Sequence, residues 1–488
     1  MGMTKDILYN KLAKISGSKN VSNDTKELEE YSEDMSFISG KRPNLIVWPS
    51  KAHHVEAILK LANNSNFSVI PVSSSSRYRH HGDTIPKKNN SIILNLSKMN
   101  KVLSISRKNR VVMVEPGVTF EDLIPKLKKK GVRLLIPLHP TSNKSVLSSA
   151  LEREPITIPR YHWDSSDPLL CTEVIFGTGD LFRTGTAAGP GTLKQQKRSG
   201  QNQINPMGPT QFSPFRVIQG AQGSLGVVTW ATIKLELLPS IQKVFHLQSQ
   251  NIQELLDFQF ELLKNRLCDE LLILNNLNLA CLIKNTEQDI YELSNSLKKW
   301  NLIFIITGRG MLANEKISYL EGDINEIKNK LNLSNLMSKN NIEDQEIIRV
   351  LSEPTLKPWK MKLKGSYQEI FFLTSFERIS EFISLVETKI SKNLGIYIQP
   401  INQGTSYHCE FDLFYDPQDD MGIKRLKELF IDTSKDLIGL GAFFNRPYGD
   451  WAEDVYKSLD DSIIMALKKV KKIFDPNNVL NPGVLCFD

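Results

Sequence analysis

From Asn44 onward, apolar residues recur in short blocks that switch between two periods. "NLIVWPS" (Asn44–Ser50), "FSVIPV" (Phe67–Val72) and "SIILNLS" (Ser91–Ser97) are aliphatic, β-branched runs bounded by Asn, Pro and Ser, and they predict strands. "VEAILKLANNS" (Val55–Ser65) spaces its apolar side chains as a helix does, and "VVMVEPGVTFEDLIPKLKKKG" (Val111–Gly131) reads strand, tight turn and helix. That alternation predicts an α/β half-domain. "CTEVIFGTGDLFRTG" (Cys171–Gly185) reads as a hairpin turning at Gly177–Asp180, and "GSLGVVTWATIKLELLP" (Gly223–Pro239) keeps strand periodicity until its proline.

After Pro239 the rhythm changes. Residues 241–308 read strand, helix, strand, strand, helix, strand, with "LACLIK" (Leu279–Lys284) as the third strand, and residues 367–444 repeat the order, ending in "GAFF" (Gly441–Phe444) as a strand. Two such copies resemble a doubled ferredoxin-like unit, an antiparallel sheet covered by helices on one face. "EKISYLEGDINEIKNKL" and "IEDQEIIRVLSEP" between them read as an inserted helical pair. The expected division is a helical polar arm over 1–41, one domain over 42–240, a second over 241–445 and a C-terminal return over 446–488.

Composition narrows the class of protein. The 488 residues are 40% apolar and 24% charged, with a mean hydropathy of −0.26, which describes a globular chain and predicts no membrane span. The net charge of +7 is small for the length. The runs "KLKKK" (Lys126–Lys130) and "KKVKK" (Lys468–Lys472) read as solvated helix faces, since no aromatic interleaving or nucleic-acid motif accompanies them. Five cysteines without a C-x-x-C fit reduced thiols in a cytoplasm and exclude an iron–sulfur motif in this chain. No G-x-G-x-x-G follows a strand, which argues against a nicotinamide-binding Rossmann unit.

"GAQGSLGVVTWA" (Gly220–Ala231) sets three glycines at a spacing of three before a strand, marking close approach of backbone to a flat or anionic ligand. Taken with "PNLIVWPSKAHHVEAILKLA", "VEPGVTFEDL", "EVIFGTGDLFRTG" and the C-terminal "FDPNNVLNPG", in that spacing, the chain resembles the FAD-linked oxidases and dehydrogenases of the vanillyl-alcohol oxidase and para-cresol methylhydroxylase (PCMH) type, in particular their glycolate and D-lactate dehydrogenase branch. The resemblance implies an α+β fold: a PCMH-type FAD-binding domain of two α+β subdomains, plus a cap domain holding the duplicated ferredoxin-like antiparallel sheet. It implies that Gly117, Gly220, Gln222, Gly223, Ser224, Gly226 and Val227 line the FAD, with Asn481 near the flavin end. The first diphosphate loop of such proteins is usually rich in glycine. Here it is "PVSSSSRYRHHGDT" (Pro71–Thr84), so the expected ligands are Ser73, Ser74, Ser75, Ser76 and Gly82, with Arg77 and Arg79 supplying charge that glycines do not. Some relatives attach the flavin through a histidine, and His80 and His81 stand in the loop of one such version. The second loop carries Ser148 and Ser149 where a glycine pair is usual.

The substrate side is expected from the cap. "SYHCEFDLFYD" alternates, with Tyr407, Cys409, Phe411, Leu413 and Tyr415 on one face and His408, Glu410 and Asp412 on the other. The family chemistry, oxidation of a small 2-hydroxy acid or alcohol by hydride transfer to flavin N5, needs a base and, for an acid, a cation. His408 is the expected base, with Tyr407, Tyr448 and His162 as substitutes, and Arg446 in "FFNRPYGDW" the expected carboxylate clamp ahead of Arg160. The histidines show no helical ligand spacing and the H-G-D-G-N-L-H motif of the glycolate branch is absent, so no catalytic metal is expected. Electrons would pass to a partner protein, an iron–sulfur or electron-transfer flavoprotein, or to another acceptor. The rival reading is a flavin-bearing or flavin-less subunit of a multi-protein redox complex.

Overall fold

Among the residues that the computed structural model describes (4–74, 77–159, 168–206, 208, 216–333 and 342–487), three sheets organise the chain. The first has four strands, in the order Val21–Ser22, Leu45–Val47, Ser91–Asn95, Ser68–Val72. The last three of these run parallel, with the helix Ala52–Ser65 as a crossover. That helix buries Val55, Ile58, Leu59 and Ala62, the i, i+3, i+4, i+7 stripe of an amphipathic helix. Leu480 bridges Val69 in parallel, so the C-terminal segment returns to the open edge of this sheet.

The second sheet is antiparallel and centres on the strand Gly226–Leu237, which pairs with Val111–Val114 on one side and with Leu169–Phe176 on the other. Leu169–Phe176 and Leu181–Arg183 form the expected hairpin. Lys471 departs from the expected solvated lysine face. It is buried, and its ammonium pairs with Asp475 at 2.5 Å and donates to the carbonyls of Ser224 and Leu480.

The third sheet holds six antiparallel strands in the order Ile241–Ser249, Trp300–Gly308, Leu271–Asn275, Leu394–Ile401, Ser406–Tyr415, Ser366–Thr374. Each half contributes three strands, and the halves meet at Leu271–Asn275 and Leu394–Ile401. Two expected strands are corrected. Leu279–Lys284 belongs to the helix Asn276–Ile283, whose first turn is capped by the Asn275 side chain accepting from Asn278 N–H. Six consecutive buried residues there give no period to read, and the cap decides the conformation. Gly441–Phe444 forms only an isolated bridge between Phe443 and Leu373.

The helices also occupy both faces of the sheet, not one. The helices Ile252–Lys264, Ile379–Lys389 and Asp420–Gly439 cover the face that carries Ile273, Phe304, Ile370, Tyr407, Cys409 and Phe411. Behind the first half, Asn276–Ile283 and the inserted helix Asp344–Ser352 pack on Leu272, Leu274, Ile303 and Ile305. On the second half the same face meets the short turn Trp359–Lys362, and it carries the polar residues of the candidate site.

Candidate active site

That polar face looks onto a cavity of about 310 Å³, at the lower end of the roughly 300–1,000 Å³ usual for ligand pockets. Its other walls are the loop after the strand Ser68–Val72, the turn before the strand Gly226–Leu237, the loop 137–155 and residues 446–448. Of the cofactor residues expected from sequence, Ser73, Ser74, Gly220, Gln222, Gly223, Gly226 and Val227 line it. Gly220, Gln222 and Gly223 all have positive φ, at 66°, 51° and 68°. Gly223 is constrained twice: its backbone is left-handed, and a Cβ would stand 3.1 Å from the Pro71 ring at the start of the serine loop.

The other expected cofactor residues lie elsewhere. Ser75 and Ser76 fall outside the described residues, as do Arg160 and His162. Gly117 lies off the cavity: its N–H donates to Met99 and a Cβ would meet the Ser97 carbonyl at 2.4 Å, so it is a packing glycine. Gly82 donates its N–H to Asp34, and Ser224 Oγ donates to the Ala221 carbonyl. Asn481 ties two walls together by donating to the carbonyls of Asp83 and Gln222. Arg77 is exposed to solvent. Arg79 reaches the cavity wall, but its guanidinium is held by the Glu30 carbonyl and lies 4.4 Å over the Tyr31 ring. The charge expected to offset missing glycines is therefore directed elsewhere.

At the cap end, strand alternation turns Glu369, Tyr397 and Glu410 into the cavity. His408 shares their face as expected but stands behind Glu410. It is 2% exposed, bonds Glu410 at 3.0 Å, and its ring sits between Phe371 and Tyr397. Tyr407 points the other way, into the helix-side core, fully buried. Neither reaches the cavity. Arg446 does, at 8% exposure, with its guanidinium 4.4 Å over Phe371, its nearest carboxylate Glu152 at 3.9 Å and its Nε without a partner.

Two neighbouring histidines of the serine loop complete this end. His80 stacks on Tyr367 (4.5 Å between centroids), and neither of its ring nitrogens has a partner. Burial pushes it down to about 4, so it is neutral at physiological pH. His81 stacks on Tyr448 (4.4 Å) and bonds Glu369 at 3.1 Å. Burial would lower it too, but the hydrogen bond and charge of Glu369 outweigh that and raise its pKa. The two rings, 6.0 Å apart, are thus driven in opposite directions, the pattern that separates a base from an acid within one site. Lys360, also in the wall, lies 2.8 Å from Glu369 and 2.8 Å from Asp412 and pairs with Glu410.

Residues 43–185 match the FAD binding domain family. The chain is similar to the glycolate oxidase subunit GlcD of Bacillus subtilis, with 22% identity over 488 residues, 99% of this chain and 97% of the relative. It is 20% identical over 450 residues to the mitochondrial D-lactate dehydrogenase (cytochrome) of Arabidopsis thaliana, covering 91% of this chain and 73% of that one. Its fold matches a crystal structure of p-cresol methylhydroxylase with substrate bound, at a TM-score of 0.82 and 18% identity, over 99% of this chain and 97% of that chain. The cavity fits FAD: the turn 220–223 presents bare backbone, and buried polar atoms of Arg79, His80, Thr84 and Arg446 along the wall have no protein partner.

Proposed function

We propose that this chain, which belongs to the PCMH-type family of FAD-linked oxidoreductases, oxidises a small anionic alcohol, with 2-hydroxy acids as the first candidates. The observation that carries the reading is the meeting, at one end of the cavity, of a guanidinium whose Nε has no partner and a neutral imidazole with neither ring nitrogen engaged: Arg446 over Phe371, and His80 beside His81, whose ring is 5.9 Å from the same Phe371. The names of the glycolate and D-lactate relatives support the substrate class.

Ser73, Ser74, Gly220, Gln222, Gly223, Gly226 and Val227 would hold the FAD, which when bound supplies the two-electron acceptor for the carbon-bound hydrogen. Arg446 binds the substrate carboxylate, for which its planar fork of donors is suited. His80 accepts the hydroxyl proton; burial keeps it uncharged, and neither of its ring nitrogens is engaged by another protein group. Glu369 favours the protonated form of His81, which in that form adds positive potential beside the oxygen that loses the proton. Tyr367 and Tyr448 hold the two imidazoles in place by stacking.

The test is anaerobic addition of glycolate, D-lactate and larger 2-hydroxy acids to the purified yellow protein while flavin absorbance is followed. Bleaching by at least one acid, and its slowing in His80→Asn, is the expected result. A flavin that no hydroxy acid reduces would overturn the substrate class.

A further inference from the structure

The carboxylate oxygens of Glu369, Glu410 and Asp412 come within 4.8 Å of one another, a spacing at which three oxygens could share one metal ion. A side chain already stands between them. Lys360 arrives on the short turn Trp359–Lys362, outside the sheet that carries the three acids, and its Nζ lies 2.8 Å from Glu369, 2.8 Å from Asp412 and in contact with Glu410. Its stem is confined by aromatic rings, with Nζ 5.2 Å from the centre of Tyr367 and 5.5 Å from that of Trp359. The two outer acids each hold a histidine by the oxygen not given to Lys360: Glu369 Oε1 bonds His81, and Glu410 Oε2 bonds His408.

We propose that Lys360 is the built-in cation of this site, a positioning residue that occupies the place of a divalent metal ion and so fixes the two glutamates that orient His81 and His408. The proposal rests on the assigned role of this cavity end, but its structural half is independent of catalysis. The electrostatics agree with it. Burial would discharge the lysine, yet Asp412, Glu369 and Glu410 hold it well above its ordinary value. Burial would likewise keep Glu369 and Glu410 protonated, and Lys360 brings both below the ordinary carboxylate range. Asp412, the most deeply buried of the three, is pushed by burial up to about 7 in spite of the lysine. Of the three acids, Asp412 is thus the one that takes up a proton most readily. Lys360 also lowers His80, so it helps to hold that imidazole neutral.

Lys360→Ala removes the cation and leaves the oxygens and a gap. The variant, refolded or expressed with millimolar Mn²⁺, should bind one more Mn²⁺ per chain than the parent, read by electron paramagnetic resonance, and Glu410→Gln in that background should abolish the added site. The parent, dialysed against EDTA, should be reduced by substrate at its original rate. In the conservative variant Lys360→Arg the acid limb of the rate profile should stay in place, while in Lys360→Met it should move to higher pH as His80 loses a neighbouring charge. If Lys360→Met is too unstable to purify, Lys360→Met with Glu410→Gln should recover flavin content and melting temperature, because a lysine and one of its acids go together. A folded Lys360→Ala with no added Mn²⁺ site, an EDTA-sensitive parent, or a double variant no better than the single one would overturn the proposal. A parent whose flavin no hydroxy acid reduces, with the added Mn²⁺ site present in Lys360→Ala, would count against the substrate assignment and leave Lys360 in its role.

Discussion

Replacing Arg446 by Met removes the guanidinium and keeps much of the apolar stem that packs on Phe371, so the change reports on charge more than on packing. Removing one partner of a desolvated, hydrogen-bonded ion pair costs about 2–5 kcal/mol. The lower half of that range applies here, since Glu152 at 3.9 Å already draws on the guanidinium and a substrate carboxylate must compete with it. A loss of about 2–3 kcal/mol corresponds to roughly a 30–150-fold weaker Kd. Arg446→Lys should fall between, keeping the charge and losing the two-pronged geometry. The assay is anaerobic stopped-flow reduction of the flavin over a range of hydroxy-acid concentrations, which separates Kd from the limiting rate. The expected result is a raised Kd with the limiting rate changed far less. An unchanged Kd with a depressed limiting rate would refute the reasoning, because Arg446 would then act on the reaction without holding the acid. An uncharged alcohol substrate, if one is reduced at all, should show no Kd change in the same variant.

Three further expectations follow from the same geometry. His80→Asn should slow flavin reduction by about 10²–10⁴-fold with Kd preserved, while His408→Asn should slow it far less, because that ring reaches the cavity only through Glu410; equal losses in stopped flow would sink the assignment of the base. The pH profile of the limiting rate should be bell-shaped: it falls as pH drops through about 4 and His80 takes up a proton, and falls again as pH rises through the raised pKa of His81, above the ordinary 6.5, and that ring loses its charge. An acid limb centred near 6.5 would contradict the burial of His80. Gly223→Leu should purify with little or no flavin, as its side chain must displace Pro71 from a left-handed backbone, and a normal ratio of flavin to protein absorbance would contradict the place given to that turn.

What could be read from the sequence was whatever carries a period or a dense local motif. The alternation of 406–415 separated the core face of Tyr407, Cys409 and Phe411 from the polar face of His408, Glu410 and Asp412, and the structure keeps that division. Periodicity fixes a face but not how far along it the cavity extends, so nothing in the pattern shows that Glu410 reaches the cavity and the expected base His408 stands behind it. The helix Asn276–Ile283 escaped because every residue from Asn278 on is buried and no polar position marks a repeat. Lys360 escaped for another reason. "KPWKMKLKG" has four lysines in nine residues and looks like a solvated run, yet Lys360 meets three acids that arrive from two strands of the second half. Its signal in the sequence was the flanking Trp359 and Pro358, an apolar setting unusual for a surface lysine. His80 and His81 lay in view, but in a loop that was read for phosphate contacts, and nothing local says that the loop reaches Tyr367 and Tyr448 of the distant chain.

The serine loop raises the question of how a wall with few glycines is kept tight around a ligand. Glycine brings backbones together by having no side chain; here hydrogen bonds between loops do similar work. Ser74 Oγ accepts from Ser145 N–H, joining the serine loop to the second loop at 2.9 Å, and Ser145 Oγ in turn donates to the Pro116 carbonyl. Asn481 joins the histidine end of the serine loop to the glycine turn, and Gln222 of that turn donates to the Pro447 carbonyl at 2.7 Å, between Arg446 and Tyr448. Lys471 closes the back of the same turn through the Ser224 carbonyl. The turn 220–224 is therefore bonded on three sides, to the segment that positions His80 and His81, to the segment that positions Arg446, and to the C-terminal helix Asp461–Phe474. One short stretch of backbone thus ties the loop that carries His80 and His81 to the segment that carries Arg446, and it has glycines where the first loop has serines.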